Sequence, residues 1–156
     1  MKKFLRMMLL LVMTFCMAGC SQPQSDSSAT AEPTVPNEWG ITMIAENVTP
    51  TGLTIVCSQS GGEAVSELFT GSNYAIHKLG KSGWEHVEYA PQEYDVAWTS
   101  EAWIIPLDGT VSWEINWQWL YGDLPKGTYR IEKEIINFRG PGDFVMELAY
   151  VYFEIK

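Results

Sequence analysis

Two histidines, one isolated cysteine and a heavy load of aromatic rings are the residues here that could do chemistry. His77 and His86 flank Gly80-Lys81-Ser82-Gly83, so a hairpin closed at that turn sets the two imidazoles side by side. Glu88 lies diagonal to His77 in the same register, and two imidazoles with a carboxylate can bind zinc or copper. Neither a cysteine nor a third histidine joins them, and a solvated hairpin accounts for the same residues, so no metal is expected. Cys57 ends Leu53-Thr54-Ile55-Val56-Cys57, in phase with Leu53 and Ile55. That phase makes it a buried structural thiol, because a nucleophile needs a basic or His-rich neighbourhood. The chain holds 7 Trp, 7 Tyr and 6 Phe. Trp98, Trp103, Trp119 and Tyr121 lie near strand ends or loops and could stack on sugar rings, provided at least two are exposed and coplanar. Phe138, Arg139 and Asp143 flank Gly140-Pro141-Gly142 and form a second candidate binding surface. The simpler account of that segment is a hairpin turn in which Arg139 pairs with a neighbouring acid.

Catalytic signatures are otherwise absent. No Gly-x-Ser-x-Gly elbow, His-Glu-x-x-His, phosphate-cradling glycine loop or dinucleotide fingerprint occurs, so neither enzymatic activity nor a cofactor is expected. Acidic residues are scattered in pairs such as Glu85 and Glu88, Glu93 and Asp95, or Glu132 and Glu134, and none builds an EF-hand loop. With 19 acidic against 10 basic side chains, the net charge is −9, which argues against nucleic acid as a partner.

Residues 1–19 stand apart from the rest. Lys2, Lys3 and Arg6 precede an almost unbroken apolar run from Met7 to Phe15, the pattern of a secretory signal and too short for a comfortable membrane span. Removing those three from the ten basic residues leaves seven against nineteen acidic ones, a charge of about −12 on the mature chain. Residues 20–38 are rich in Ser, Pro, Ala and Gln without an aromatic before the folded part, and read as an extended stalk. The folded domain is expected over 39–156, with no disulfide open to Cys57 once Cys16 is discarded and Cys20 is used otherwise.

In the folded part the dominant period is two, and no long helical stripe appears. Strands are predicted at 40–47, 52–58, 74–79, 83–89, 102–107, 110–118, 128–136 and 145–155, with a short helix or irregular stretch at 62–69. In Val111-Ser112-Trp113-Glu114-Ile115-Asn116-Trp117-Gln118-Trp119 every odd position is apolar and every even one polar, which places Trp113 and Trp117 in the core. The hairpin register pairs Lys78 with Glu85, His77 with His86 and Leu79 with Trp84, and continues to Ile76 with Val87 and Tyr74 with Tyr89. Ser58–Ser72 and Asn137–Phe144 are the segments expected to form presenting loops. Short, evenly spaced strands without helices give an all-β, antiparallel sandwich of about seven to nine strands.

Two resemblances add to this. Met17-Ala18-Gly19-Cys20 resembles the lipobox of bacterial lipoproteins, with Met where Leu is commonest. The resemblance implies cleavage before Cys20 and lipidation of its thiol, which tethers the protein at the extracytoplasmic face of the cell membrane. Leu124-Pro125-Lys126-Gly127-Thr128-Tyr129 resembles the tyrosine corner of immunoglobulin-like sandwiches, with Tyr129 bonding back to the backbone. With Glu46–Thr54, Trp113–Trp117, Trp119–Gly122 and Phe138–Gly142, it is similar to a family of bacterial immunoglobulin-like domains of generally unassigned function. What this implies is an immunoglobulin-like β-sandwich that binds, adheres or organises the envelope, its partner an envelope protein or a glycan. A protease-inhibitor-like regulator presenting Asn137–Phe144 and a carbohydrate-binding module are the alternatives.

Overall fold

The computed structural model describes residues 35–63 and 65–156. The signal segment 1–19, Cys20 and most of the stalk lie outside the described residues. Nine strands and one short helix follow in order: β1 (Ile41–Thr49), β2 (Gly52–Gln59), β3 (Glu67–Thr70), β4 (Ala75–Gly80), β5 (Gly83–His86), β6 (Trp103–Ile105), β7 (Gly109–Asn116), α1 (Gln118–Tyr121), β8 (Gly127–Gly140) and β9 (Asp143–Ile155). All strand pairs are antiparallel, and they form two sheets, as expected. The smaller sheet runs β1-β2-β7; in the larger, β8 takes β9 along one side and both β3 and β4 along the other.

Alternation builds the core between the sheets. Leu53, Ile55 and Cys57 of β2 are buried, as are Ile131 and Ile135 of β8 and Val151, Phe153 and Ile155 of β9. Trp117 is sealed completely, with its Nε1 donating to the carbonyl of Pro50 at 2.8 Å. Trp113, expected in the core, is only half-buried. It lies opposite Ile55 in the ladder and stacks on Trp103 at 5.7 Å, because the sandwich is open at that margin. Gln59 is a buried amide with three bonds: it donates to Trp39 and Gly61 carbonyls and accepts from the Asp108 amide at 2.7 Å. Such complete satisfaction makes a buried polar group tolerable.

Two expectations are refined here. Among the described residues of 62–69 there is no helix: 62, 63, 65 and 66 are irregular, the second of the two readings, and Glu67–Thr70 is strand β3, whose four residues are too few to show a period. The strand predicted through Gln118 ends at Asn116, and Gln118–Tyr121 is a helical turn. Asn116 Oδ1 accepts from the Gln118 amide at 3.0 Å, and Gly122 closes the turn with φ of 70°, a conformation glycine adopts without strain.

β3 and β4 lie end to end along β8, but out of register with each other. Thr70 faces Ile135 and Ala75 faces Glu132, so four residues, Gly71–Tyr74, bulge opposite only Lys133 and Glu134. Carbonyls in that bulge lose their ladder partners. Lys133, fully buried in phase with Ile131 and Ile135, supplies the replacement by donating to the carbonyls of Gly71 and Asn73. Thr70 Oγ1 adds a bond to the Glu134 carbonyl at 2.7 Å.

Among the described residues β9 forms a ladder only with β8, and β1 packs close to it without pairing. Phe144, Val145, Met146 and Leu148 are exposed there. Asn37 clamps the same strand: its Nδ2 donates to Glu147 at 3.0 Å while its Oδ1 accepts from the Trp39 and Ile41 amides.

Candidate functional site

The segment 87–102 carries no strand, yet it is pinned where it matters. The Ala90 amide donates to the Leu120 carbonyl at 2.9 Å, and Ser72 Oγ donates to the Thr99 carbonyl at 2.9 Å. Between those pins Trp98 folds against Tyr74, with ring centroids 5.1 Å apart and planes at 63°. Trp119, on α1, meets the other side of Trp98 at 5.7 Å and 71°. Tyr121 lies beneath, in contact with Tyr74 at 6.2 Å and Tyr89 at 5.1 Å. Its hydroxyl accepts from the Ile76 amide at 3.3 Å, which ties α1 to β4.

Of the four aromatic residues nominated for a sugar platform, Trp98 and Trp119 are brought together and Tyr121 supports them from below. Trp103 belongs to a separate stack with Trp113. Exposure separates them: Trp119 is 52% exposed, Trp98 and Trp103 are half-buried, and Tyr121 is 7% exposed. The near-perpendicular Trp98–Trp119 pair forms a corner and not a flat platform. Tyr74 and Tyr89 complete the group. Sequence reasoning assigned them only to a cross-strand pair, which does not form because β5 ends at His86.

Two clefts flank the Tyr74–Trp98 pair. One, of about 220 Å³, is lined by Ser72, Trp98, Trp103, Glu114, Asn116 and Trp119. The other, of about 240 Å³, is lined by Asn73, Tyr74, Tyr89, Trp98, Glu132 and Glu134. Burial raises the phenol pKa of both Tyr74 and Tyr121, so these rings stay neutral through the physiological range.

The histidine hairpin forms in the expected register, with His77 opposite His86, Lys78 opposite Glu85 and Leu79 opposite Trp84. The imidazoles meet edge to face at 5.5 Å. The acid beside His77 is Glu132, at 3.5 Å from Nε2, and not Glu88, which lies beyond the end of β5. Burial lowers the His77 pKa against the opposing pull of Glu132, with Arg130 and His86 adding to the lowering, so the ring is neutral at neutral pH. Among the described residues no three His, Cys, Asp or Glu side chains are placed to hold a metal ion.

Arg139 and Asp143 pair across the β8–β9 turn, Nη2 to Oδ1 at 2.7 Å. Their mutual bond raises the guanidinium pKa and lowers that of the carboxyl. Phe138 packs on Phe69 at 6.2 Å. Asn137–Phe144, expected as a loop, is instead a continuous ribbon turning at Pro141-Gly142, and Asn137 is buried with its Oδ1 accepting from the Ser66 amide. Ser58–Ser72 is likewise no single loop, since β3 lies within it.

A second aromatic surface was not foreseen. On the outer face of the larger sheet, the Arg130 guanidinium lies between Trp84 and Tyr150, at 4.9 and 4.3 Å from their centroids. Its signal was available in Ala149-Tyr150-Val151-Tyr152-Phe153, where Tyr150 and Tyr152 occupy the outward phase. Cys57 is buried, and burial pushes its thiol pKa up to about 12, leaving it inert.

Two packed antiparallel sheets with a corner tyrosine define the class. Tyr129 stands at the start of β8, sealed in the core against Phe153, and its hydroxyl donates to the Pro125 carbonyl at 2.7 Å. This is an immunoglobulin-like β-sandwich. The chain belongs to the bacterial Ig-like domain family, whose match covers residues 37–150. No curated protein matches it.

Proposed function

We propose that this protein is a lipid-anchored binding module displayed on the extracytoplasmic face of the cell membrane. The anchor rests on the signal-like segment 1–19 and the lipobox-like Met17-Ala18-Gly19-Cys20, followed by a Ser/Pro-rich stalk. A single acyl chain binds membranes only marginally, whereas two or more hold a protein stably. A mature chain of about −12 charge is repelled by anionic lipid, so the stalk holds the domain off the surface and its ligand comes from the envelope or beyond.

The observation that carries the binding role is the Tyr74–Trp98–Trp119 corner. A segment without strands is held by one main-chain bond and one serine hydroxyl so that it contributes to two clefts lined by large rings. Rigid aromatic side chains in concave sites are a recurrent basis of recognition. An envelope protein or a glycan reached through this corner fits the reading; adhesion and envelope organisation are its cellular outcomes.

Fractionation tests the anchor. Cys20→Ser is expected to move the protein from membranes to the soluble fraction, and unchanged fractionation overturns it. Titration of the tethered protein with envelope extract, followed by tryptophan emission, tests the binding site. A saturable change that Trp119→Ala removes supports the corner, and one that survives the substitution places binding elsewhere.

A further inference from the structure

We propose that the cleft between Tyr89 and Trp98 takes an organic cation, specifically an alkylated ammonium group. This rests on the binding-module reading and names its ligand class. Three rings, Tyr74, Tyr89 and Trp98, line the cleft together with the carboxylates of Glu132 and Glu134. Glu132 and Glu134 are two apart on β8 and so project from the same outward face.

Among the described residues neither carboxylate forms an ion pair with a lysine or an arginine. Glu134 is exposed and makes no ion pair among the described residues. Glu132 lies against His77, an imidazole that is neutral at neutral pH, and beside the Tyr150 hydroxyl. Lys133 points to the opposite, core side and is held by the carbonyls of Gly71 and Asn73. Arg130 is engaged between Trp84 and Tyr150. Two carboxylate residues therefore line a cleft that they share with three rings, Asn73 and Ala75.

That combination selects among cations. A hard metal ion needs several oxygen or nitrogen donors at short range, and the described residues supply no such group. An alkylammonium carries its charge on a greasy shell, is weakly hydrated, and gains from ring faces and distant carboxylates together. Tyr74 and Trp98 meet at 63°, a corner that can offer a compact cation more than one ring face and not a flat platform. At about 240 Å³ the cleft suits a small headgroup better than a large ligand.

Choline is the probe, titrated by NMR into the full mature protein in non-ionic detergent, beside its uncharged isostere in which tert-butyl replaces trimethylammonium. Choline is expected to bind saturably and roughly tenfold more tightly than the isostere, as a cation–π site predicts. Glu134→Gln and Glu132→Gln are expected to weaken choline and leave the isostere unchanged, and Trp98→Ala to weaken both. Glu134 is exposed, so its variant reports on binding even if Trp98→Ala fails to fold. A trimethyllysine peptide that outcompetes choline places the cation on a protein chain; the reverse order places it on a free solute. Equal affinity for choline and its isostere, no effect of either Gln variant, or no saturable binding overturns the proposal. Fractionation of Cys20→Ser and the emission change with envelope extract are independent of these outcomes, so the cation can fail while the binding module stands.

Discussion

The Lys133 ammonium lies 4.6 Å from the centroid of the Trp103 indole, a buried cation against an aromatic face. Trp103 is covered on another side by Trp113, so the lysine, the two indoles and the Gly71–Tyr74 bulge form one unit. This unit fixes where β3 gives way to β4 and hence where Tyr74 stands.

Lys133→Met keeps most of the stem and deletes the donor, leaving two buried carbonyls without partners. Each orphaned group costs roughly 1–3 kcal/mol, offset in part by relief of a buried charge. A net loss of about 2 kcal/mol is expected in urea unfolding, together with a changed emission from Trp103.

The same lysine sets a pH dependence. Burial lowers its pKa from 10.5 to about 8, so between those values the unfolded chain binds a proton that the folded one does not. Stability contributed by Lys133 therefore rises with pH across that window, by about 1 kcal/mol between pH 8 and 9. The neutral amine still has two N–H donors for Gly71 and Asn73. Above pH 9 the sign reverses for Cys57, and above pH 10 for Tyr74 and Tyr121, whose raised pKa values make the folded state the tighter proton binder. Wild type compared with Lys133→Met, by denaturant titration at pH 7, 8 and 9, isolates the lysine; parallel curves refute its role.

Cys57 is expected to resist maleimide in the native Cys20→Ser protein at pH 8 and to react at once in denaturant. Cys57→Val preserves the apolar contact and is expected to be tolerated. Cys57→Ser buries a hydroxyl and is expected to cost about 2 kcal/mol.

Tyr129→Phe leaves the ring stacked on Phe153 and removes the bond to Pro125. The expected loss is about 1 kcal/mol, read as a lower urea midpoint with an unchanged slope. A larger loss with a changed slope means that the corner orders more of the turn than its one hydrogen bond.

Alternation made the sandwich legible, because a strand with one face in the core must repeat its polarity every second residue. It placed Cys57, Trp117 and the His77–His86 pair. It failed at Glu67–Thr70, too short for a period, and at Trp119, whose apolar position continued the pattern of β7 into a helix. Lys133 stands in phase between Ile131 and Ile135, a burial that its residue type conceals because lysine is so seldom buried. The aromatic corner was half legible. Trp98 and Trp119 stand out in the sequence, but their meeting depends on bonds from the Ala90 amide and the Ser72 hydroxyl that no local pattern encodes.

The exposed apolar row of β9 has a colloidal consequence. Phe144, Met146 and Leu148 share one outward phase, an apolar surface on which a second molecule can dock. Glu147 stands in the middle of that run as a gatekeeper. Its own burial, with Glu38 and Glu63 nearby, raises its pKa despite the bond from Asn37. The guard therefore loses its charge earlier on acidification than an ordinary glutamate, and with it falls the repulsion that keeps neighbouring molecules apart. Crowded molecules stay separate or cling together according to the acidity of the medium.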